Sequence, residues 1–339
     1  MTEKSIRLSD IAEKLNVSTV TVSKALRNHP DISPSTKKLI LKTAEELGYM
    51  PNFMARNLSS KKSNTIGVII PKIAHFFFGS IIESIYDTAF KNNYEIILTV
   101  SQENAEREKK HIQTLLSMRV DGIIISISQE TKDDSIFETV KKKGVPIVFI
   151  DRIPNLENIN KVYVDDKGGA FCAVEQAIKA GYTKIAHFAG YSSINIGLQR
   201  YAGFIEAMKK YKIPINKKWI MQGEFGERSG YDSFMKLYKD NNLPQVIFTV
   251  TYPVALGVYK AVNELGLIIP DDIDIICFGN ANEQKFLSPP LSCIDQQTEL
   301  IAEKAITILL DNIQNKENFK MLEYEVPTKL TLRGTCVKK

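Results

Sequence analysis

The sequence predicts a small all-α N-terminal domain followed by an α/β core of two doubly wound lobes with parallel sheets. Three observations predict it. The chain has 339 residues, more than one hydrophobic core ordinarily serves. Its first 48 residues carry three short stretches with helical apolar spacing. From Ile66 onward, short β-branched runs alternate with helical stretches, which is the pattern of βαβ units.

The first stretch, Leu8 to Leu26, reads LSDIAEKLNVSTVTVSKAL. It divides into a helix from Asp10 to Leu15 with Ser9 as its cap, and a second from Thr19 to Leu26 with Ser18 as its cap. Asn16 and Val17 break the pattern between them. Ile11, Ala12, Leu15, Val17, Val22, Ala25 and Leu26 all face inward in this layout. Thr19, Val20, Thr21, Ser23 and Lys24 stay outside. That is the arrangement of a helix-turn-helix, whose second helix enters the major groove N-terminus first. A helical hairpin buried in a larger core is the plainer alternative. Ser33-Pro34 opens a third helix, with Ser as cap and Pro at the first helical position. Leu39, Ile40, Thr43, Ala44 and Leu47 form its apolar face, and Gly48 closes it.

Pro51 to Leu58, PNFMARNL, contains helix formers but falls short of the ~12–15 residues that a lone helix needs in water. Ser59 to Asn64 is a polar linker. The expected organisation is a helix-turn-helix domain at 1–50, a hinge and linker at 51–64, and a core at 65–339.

In the core, IGVII, YEIILTV, GIIIS, VPIVFI and KVYV read as strands, with helices at 80–92, 105–118 and 133–143 between them. KIAHFA (184–189), QVIFTV (245–250) and IDIICF (273–278) continue the strands, with helices at 168–180, 200–211, 230–239 and 254–265. A last helix spans 299–312, and 321–331 holds one or two strands. About nine strands suit two lobes, the chain crossing near Val164-Asp165 and returning after Pro289-Pro290. The first lobe is expected at 65–163 and 293–325, and the second at 164–292 and 326–339. A cleft between such lobes is the usual place for a small ligand.

Residues 1–62 hold 11 Lys and Arg against 6 Asp and Glu, a net +5, and the remainder holds 33 against 33. All the excess positive charge therefore lies with the helix-turn-helix, as a phosphate-backbone partner requires. Cys172, Cys277, Cys293 and Cys336 are scattered with no paired C-x-x-C, so no zinc site and no other metal or cofactor is expected. Cys172 and Cys277 read as buried thiols of a reducing compartment. The N-terminus lacks an apolar leader-like region, and no stretch reaches the ~18 apolar residues of a membrane helix, so a cytoplasmic protein is expected.

The chain carries no G-x-x-x-x-G-K-[ST], G-x-S-x-G or H-E-x-x-H, so it does not read as an enzyme. Asp165-Asp166 and Asp271-Asp272 read as caps and turns. His187, inside an apolar strand, reads as a core histidine.

These residues in this order resemble a lactose-repressor/galactose-repressor (LacI-type) transcription regulator. The resemblance rests on LSDIAEKLNVSTVTVSKAL, DISPSTKKLILKTAEELGYMPNFMARNL and IGVIIP, and it runs nearly the full length. VDGIII, VPIVFIDR, VYVDDKGGA, RYAGFIEAM, ALGVYKAV, IPDDIDIICFG and SPPLSCI resemble the family's core, which is like a periplasmic sugar-binding protein. The resemblance implies that Thr19, Val20 and Lys24 meet base edges. The chemistry agrees, since Lys donates to guanine O6 and N7, and the Thr methyl and Val touch thymine methyls. Ser9, Ser18, Thr21, Ser23, Ser33 and Thr36 are candidates for capping or phosphate contact.

The family also implies that PNFMARNL becomes a hinge helix on operator DNA. Leu58 would then be a minor-groove wedge, flanked by Asn52, Ala55 and Arg56. Double-stranded operator DNA and a second copy of the chain are the implied partners, because one helix-turn-helix reads only a half-site.

For the core, the resemblance implies a small effector, a sugar or sugar derivative, between the lobes. His75, Phe77 and Phe78 lie after the first core strand, Asp151 and Arg152 end another, and Arg200, Phe225 and Gln296 come from later segments. Carboxylate and guanidinium suit hydroxyls, and aromatic faces suit C–H-rich rings. The chain departs from the family at Thr251-Tyr252 and at Gly279-Asn280, where many members carry Asn-Asp and an Asp. Tyr252 and Asn280 are the expected substitutes for the lost acceptors. A regulator with a non-sugar effector or a protein corepressor, and a stand-alone sugar-binding module, are the alternatives.

Overall fold

The computed structural model describes residues 6–49, 62–74, 76–280, 282–315 and 321–337. Contacts within the chain divide it between Ser63 and Asn64.

The first unit holds α1 (Leu8–Leu15), α2 (Thr19–Leu26) and α3 (Pro34–Glu46). Ile11, Ala12, Val22, Ala25, Ile40 and Ala44 form its core, walled by Leu15, Val17, Leu26 and Leu47. Asn16 ends α1 at φ 51°, the left-handed conformation that Asn tolerates and that turns the chain sharply into α2. Ser18 caps α2, its Oγ accepting from the Thr21 N–H at 3.0 Å, and Ser33 caps α3 through Thr36 N–H at 3.2 Å. Pro34 takes the first turn of α3, and Gly48 follows its end at φ 66°.

Two expectations fail here. Ser9 is no cap, because α1 starts at Leu8; the Asp10 carboxylate instead turns back to accept from Arg7 N–H at 2.7 Å. Leu39 is 54 % exposed, since the inward face of α3 runs through Ile40, Thr43 and Ala44.

The second unit contains two sheets of six strands. The first runs β11-β5-β4-β3-β1-β2 and the second β12-β10-β9-β8-β6-β7. Their strands are β1 (Thr65–Ile70), β2 (Glu95–Val100), β3 (Gly122–Ile125), β4 (Ile147–Ile150), β5 (Asn160–Val164), β6 (Ile185–Ala189), β7 (Ile220–Gln222), β8 (Val246–Thr249), β9 (Asp274–Phe278), β10 (Ser292–Asp295), β11 (Glu323–Val326) and β12 (Lys329–Thr331). Every pairing is parallel except β10 with β12. Strand β1, between β3 and β2, is buried along its whole length, as a parallel strand covered on both faces must be.

The helices are α4 (Phe76–Lys91), α5 (Ala105–Ser117), α6 (Ser135–Lys142), α7 (Asp166–Lys179), α8 (Asn195–Lys210), α9 (Glu227–Lys239), α10 (Tyr252–Glu264) and α11 (Thr298–Gln314). Helix α8 starts at Asn195, well before the expected Arg200, and α4 starts at Phe76 rather than Ser80. Helix α11 lies so close over β3 that a Cβ on Gly122 would stand 2.8 Å from Leu309 Cδ1.

The chain passes between the lobes three times: after β5, after β10, and between β11 and β12. Residues 293–295 thus belong to the second lobe and not, as expected, to the first, because Cys293 pairs in register with Cys277 of β9. Cys277 is buried as expected. Cys172 is exposed, since α7 turns its neighbours Ala173 and Val174 inward instead. No helix among the described residues is long and apolar enough to cross a membrane.

Candidate DNA-reading surface and effector cleft

The first unit offers α2 as its reading element. Val20 is 62 % exposed on this helix, and Thr19 is exposed beside it. Thr21 and Thr36 turn their hydroxyls onto the caps, at 2.8 Å from the Oγ of Ser18 and of Ser33 respectively. Ser9 Oγ lies 3.5 Å from Asp10, and Ser23 is half-buried on α2. Lys24 donates to Asp31 Oδ2 at 2.8 Å. Asn52, Ala55, Arg56 and Leu58 lie outside the described residues.

In the second unit a narrow cleft, partly open to solvent, runs between the lobes. Phe77, Phe78, Asp151 and Arg152 line it from the first lobe. Arg200, Phe225, Tyr252 and Asn280 line it from the second, with Gln296 on the crossing after β10. His75 lies outside the described residues. These side chains converge because all but Arg200 follow the C-terminal end of a parallel strand or open the helix beyond it, which is where such sheets place ligands, while Arg200 reaches in from the second turn of α8.

Both arginines of the cleft are paired and deeply buried. Arg152 Nη1 donates to both oxygens of Glu103, at 2.9 and 2.7 Å, and its guanidinium lies 5.1 Å from the Phe225 ring centre. Arg200 donates through Nε to Asp166 at 2.8 Å and through Nη1 to the Val250 carbonyl at 2.6 Å. The Arg200 guanidinium also stacks 3.7 Å from the centre of the Phe278 ring. Burial pushes Asp166 up to about 7, against the pull of Arg200. Asp151 is likewise raised by burial, opposed by Arg152 and Arg200. Its backbone stands at φ 59°, a conformation that costs a non-glycine residue energy and is kept where the surroundings enforce it.

Among the described residues the Asp151 carboxylate accepts no hydrogen bond, although only 5 % of the residue is exposed. Asp151 thus faces the cleft with its acceptors open. Asn280 differs: its amide donates to Asp295 at 3.0 Å and accepts from Arg333 Nη2 at 2.9 Å, so both ends are engaged. Across the mouth, Asn195 of the second lobe donates to the Asp151 carbonyl at 2.9 Å and accepts from Ile153 N–H at 3.3 Å.

Sequence reasoning missed Glu103, Asp166 and Asn195. Asp165 does cap α7, accepting from Gly168 N–H at 2.7 Å, but Asp166, expected as a cap or turn residue, is the buried partner of Arg200. No sequence signal separates the two. His187 is a core residue with no exposure. Its Nδ1 lies 3.1 Å from the Phe248 carbonyl, its ring stacks on Phe248 and Phe204, and burial lowers it to about 4.

Residues 7–52 match the family described as bacterial regulatory proteins, lacI family, and residues 174–336 match the periplasmic binding protein-like domain. Catabolite control protein A of Priestia megaterium is 33% identical over 329 residues, covering 97% of this chain and 98% of that protein. The crystal structure of the lac repressor dimer bound to operator and the anti-inducer ONPF superposes with a TM-score of 0.85 at 25% identity, over 98% of this chain and 100% of that one. A LacI family transcriptional regulator from Enterococcus faecium with bound ribose superposes with a TM-score of 0.70 at 27% identity, over 80% of this chain and 98% of that one.

Proposed function

The chain belongs to the lacI family of bacterial regulatory proteins, and from that premise we propose that it is a cytoplasmic repressor of carbohydrate-utilisation genes. It binds a palindromic operator as a homodimer, carries out no catalysis of its own, and is controlled by a small sugar-like effector in the cleft between its lobes. The observation that carries this reading is the pairing of two sites on one chain: an outward-facing α2 with Thr19 and exposed Val20, and a cleft with an open, buried carboxylate at Asp151.

Thr19, Val20 and Lys24 read bases, while Ser18, Thr21, Ser33 and Thr36 present helix starts to phosphates. Asn52, Ala55, Arg56 and Leu58 add a minor-groove contact. In the cleft, Asp151 and Arg152 take hydroxyls, and Phe77, Phe78 and Phe225 take the ring's C–H faces. Gln296 closes the crossing side. Effector and operator favour different lobe arrangements, so each shifts the other's affinity by ~1–3 kcal/mol.

The relatives support this reading, one bound to operator and an anti-inducer and one to ribose. A non-sugar effector is the second reading. It is favoured by Gly279, which carries no side-chain acceptor, and by Asn280, whose amide is engaged at both ends. Recovery of genomic fragments on the purified chain tests the proposal. Palindromic sites beside sugar-utilisation genes, released or held by the matching sugar, are expected. Recovery of no fragment, or of fragments indifferent to salt, overturns it.

A further inference from the structure

The ion pair between Lys24 and Asp31 bears on how the reader separates operator from bulk DNA. Lys24 Nζ donates to Asp31 Oδ2 at 2.8 Å, and both side chains remain partly exposed, at 36 % and 56 %. The loop that carries Asp31 is built to hold it there. Its start folds back on α2, with His29 N–H donating to the Lys24 carbonyl at 3.0 Å and Asn28 N–H to that of Ala25 at 3.0 Å. Lys37 of α3 clamps the turn, donating to the Asn28 Oδ1 at 2.9 Å while Asn28 stands at φ 56°. Asp31 N–H donates to His29 Nδ1 at 3.3 Å, which ties the backbone of Asp31 to the turn beside α2.

We infer that Asp31 is a positioning residue for Lys24 that trades non-specific affinity for base discrimination. This rests on the DNA-binding reading above. An ammonium has three donors. Asp31 takes one and leaves two, enough for the O6 and N7 acceptors of one guanine. The same carboxylate cancels the charge by which a free lysine would hold a phosphate anywhere on a duplex. Non-specific binding is almost wholly such charge neutralisation, and each neutralised phosphate adds about 0.9 to the salt slope. Lys24 tied to Asp31 contributes little to that slope but keeps its aim at a base edge.

The test uses the full chain, a short mixed-sequence duplex, and the duplexes that the unaltered chain selects from a random pool. Asp31→Asn is expected to steepen the salt slope on the mixed-sequence duplex by about 0.9 and to tighten that binding about tenfold at ~0.05–0.1 M salt. The ratio of selected to mixed-sequence binding falls. Asp31→Glu, which keeps the charge, retains the original slope. In a Lys24→Met background, Asp31→Asn leaves the slope unchanged. An unchanged slope in Asp31→Asn alone overturns the inference. The same steepening with Lys24 already removed also overturns it, because Asp31 would then act as a general repulsive charge. No salt-dependent binding by the unaltered chain would instead remove the DNA-binding reading, and this inference with it.

Discussion

Asn195 spans the cleft, its side-chain amide donating to the backbone carbonyl of Asp151 at 2.9 Å. The same amide accepts from Ile153 N–H at 3.3 Å. Asn195 begins α8 in the second lobe, whereas Asp151 follows β4 in the first. One side chain thus clamps the strained turn that aims the open carboxylate. Each such bond is worth about 0.5–1.5 kcal/mol net. Asn195→Ala is expected to lower the unfolding free energy of the core by about 1–2 kcal/mol in urea titration. A change confined to noise would show that the lobes are held by other contacts.

Arg200 carries a heavier penalty. It is 1 % exposed, and its removal strands the Asp166 carboxylate in the interior. Arg200→Met is expected to cost about 3–5 kcal/mol, measured by urea unfolding. The double variant Arg200→Met with Asp166→Asn recovers much of the loss, because no lone charge remains. Equal instability of the single and double variants would count against this account.

Two buried groups set opposite pH slopes. Asp166 is raised from 3.8 to about 7, so the folded chain holds an extra proton between these values and stability from this group falls as pH rises through them. His187 is lowered from 6.5 to about 4, so the unfolded chain holds the extra proton and stability from this group is lost as pH falls from 6.5 to 4. Between pH 4 and 6.5 the two slopes oppose each other. Asp166→Asn is expected to make the core lose stability more steeply on acidification in that window. His187→Phe, which keeps the stack, does the reverse. Melting curves across the window decide the sign.

The caps of the reader act locally. Ser18→Ala removes the acceptor for Thr21 N–H and is expected to cost about 1 kcal/mol of the small unit's stability. Faster proteolysis within residues 1–49 and weaker duplex binding, with an unchanged melt of the core, are the outcomes to look for. A cooperative loss of both units would contradict the division at Ser63.

Much of the fold is legible in the amino-acid sequence, and for a definite reason. Helix starts, turns and strand–helix alternation are written in windows of a few residues. Ser18, Ser33, Pro34 and Gly48 therefore sit where local chemistry puts them. Nine of the ten named cleft positions line one cavity, and the tenth, His75, falls outside the described residues. The departure at Gly279-Asn280 is visible in the sequence too, but not the engagement of the Asn280 amide by Arg333 and Asp295.

Local pattern fails wherever a close competitor exists within a turn. Ser9 yields its cap role to Asp10, and Asp166 has the makings of a cap although its neighbour Asp165 is the one that caps α7. The order of residues suffices to say which segments are helices and strands. The pairing of charges is settled instead by the folded arrangement. Glu103 and Arg152 are 49 residues apart and Asp166 and Arg200 are 34 apart. No short window holds both partners, because strand order and burial, rather than spacing along the chain, bring them to one cleft.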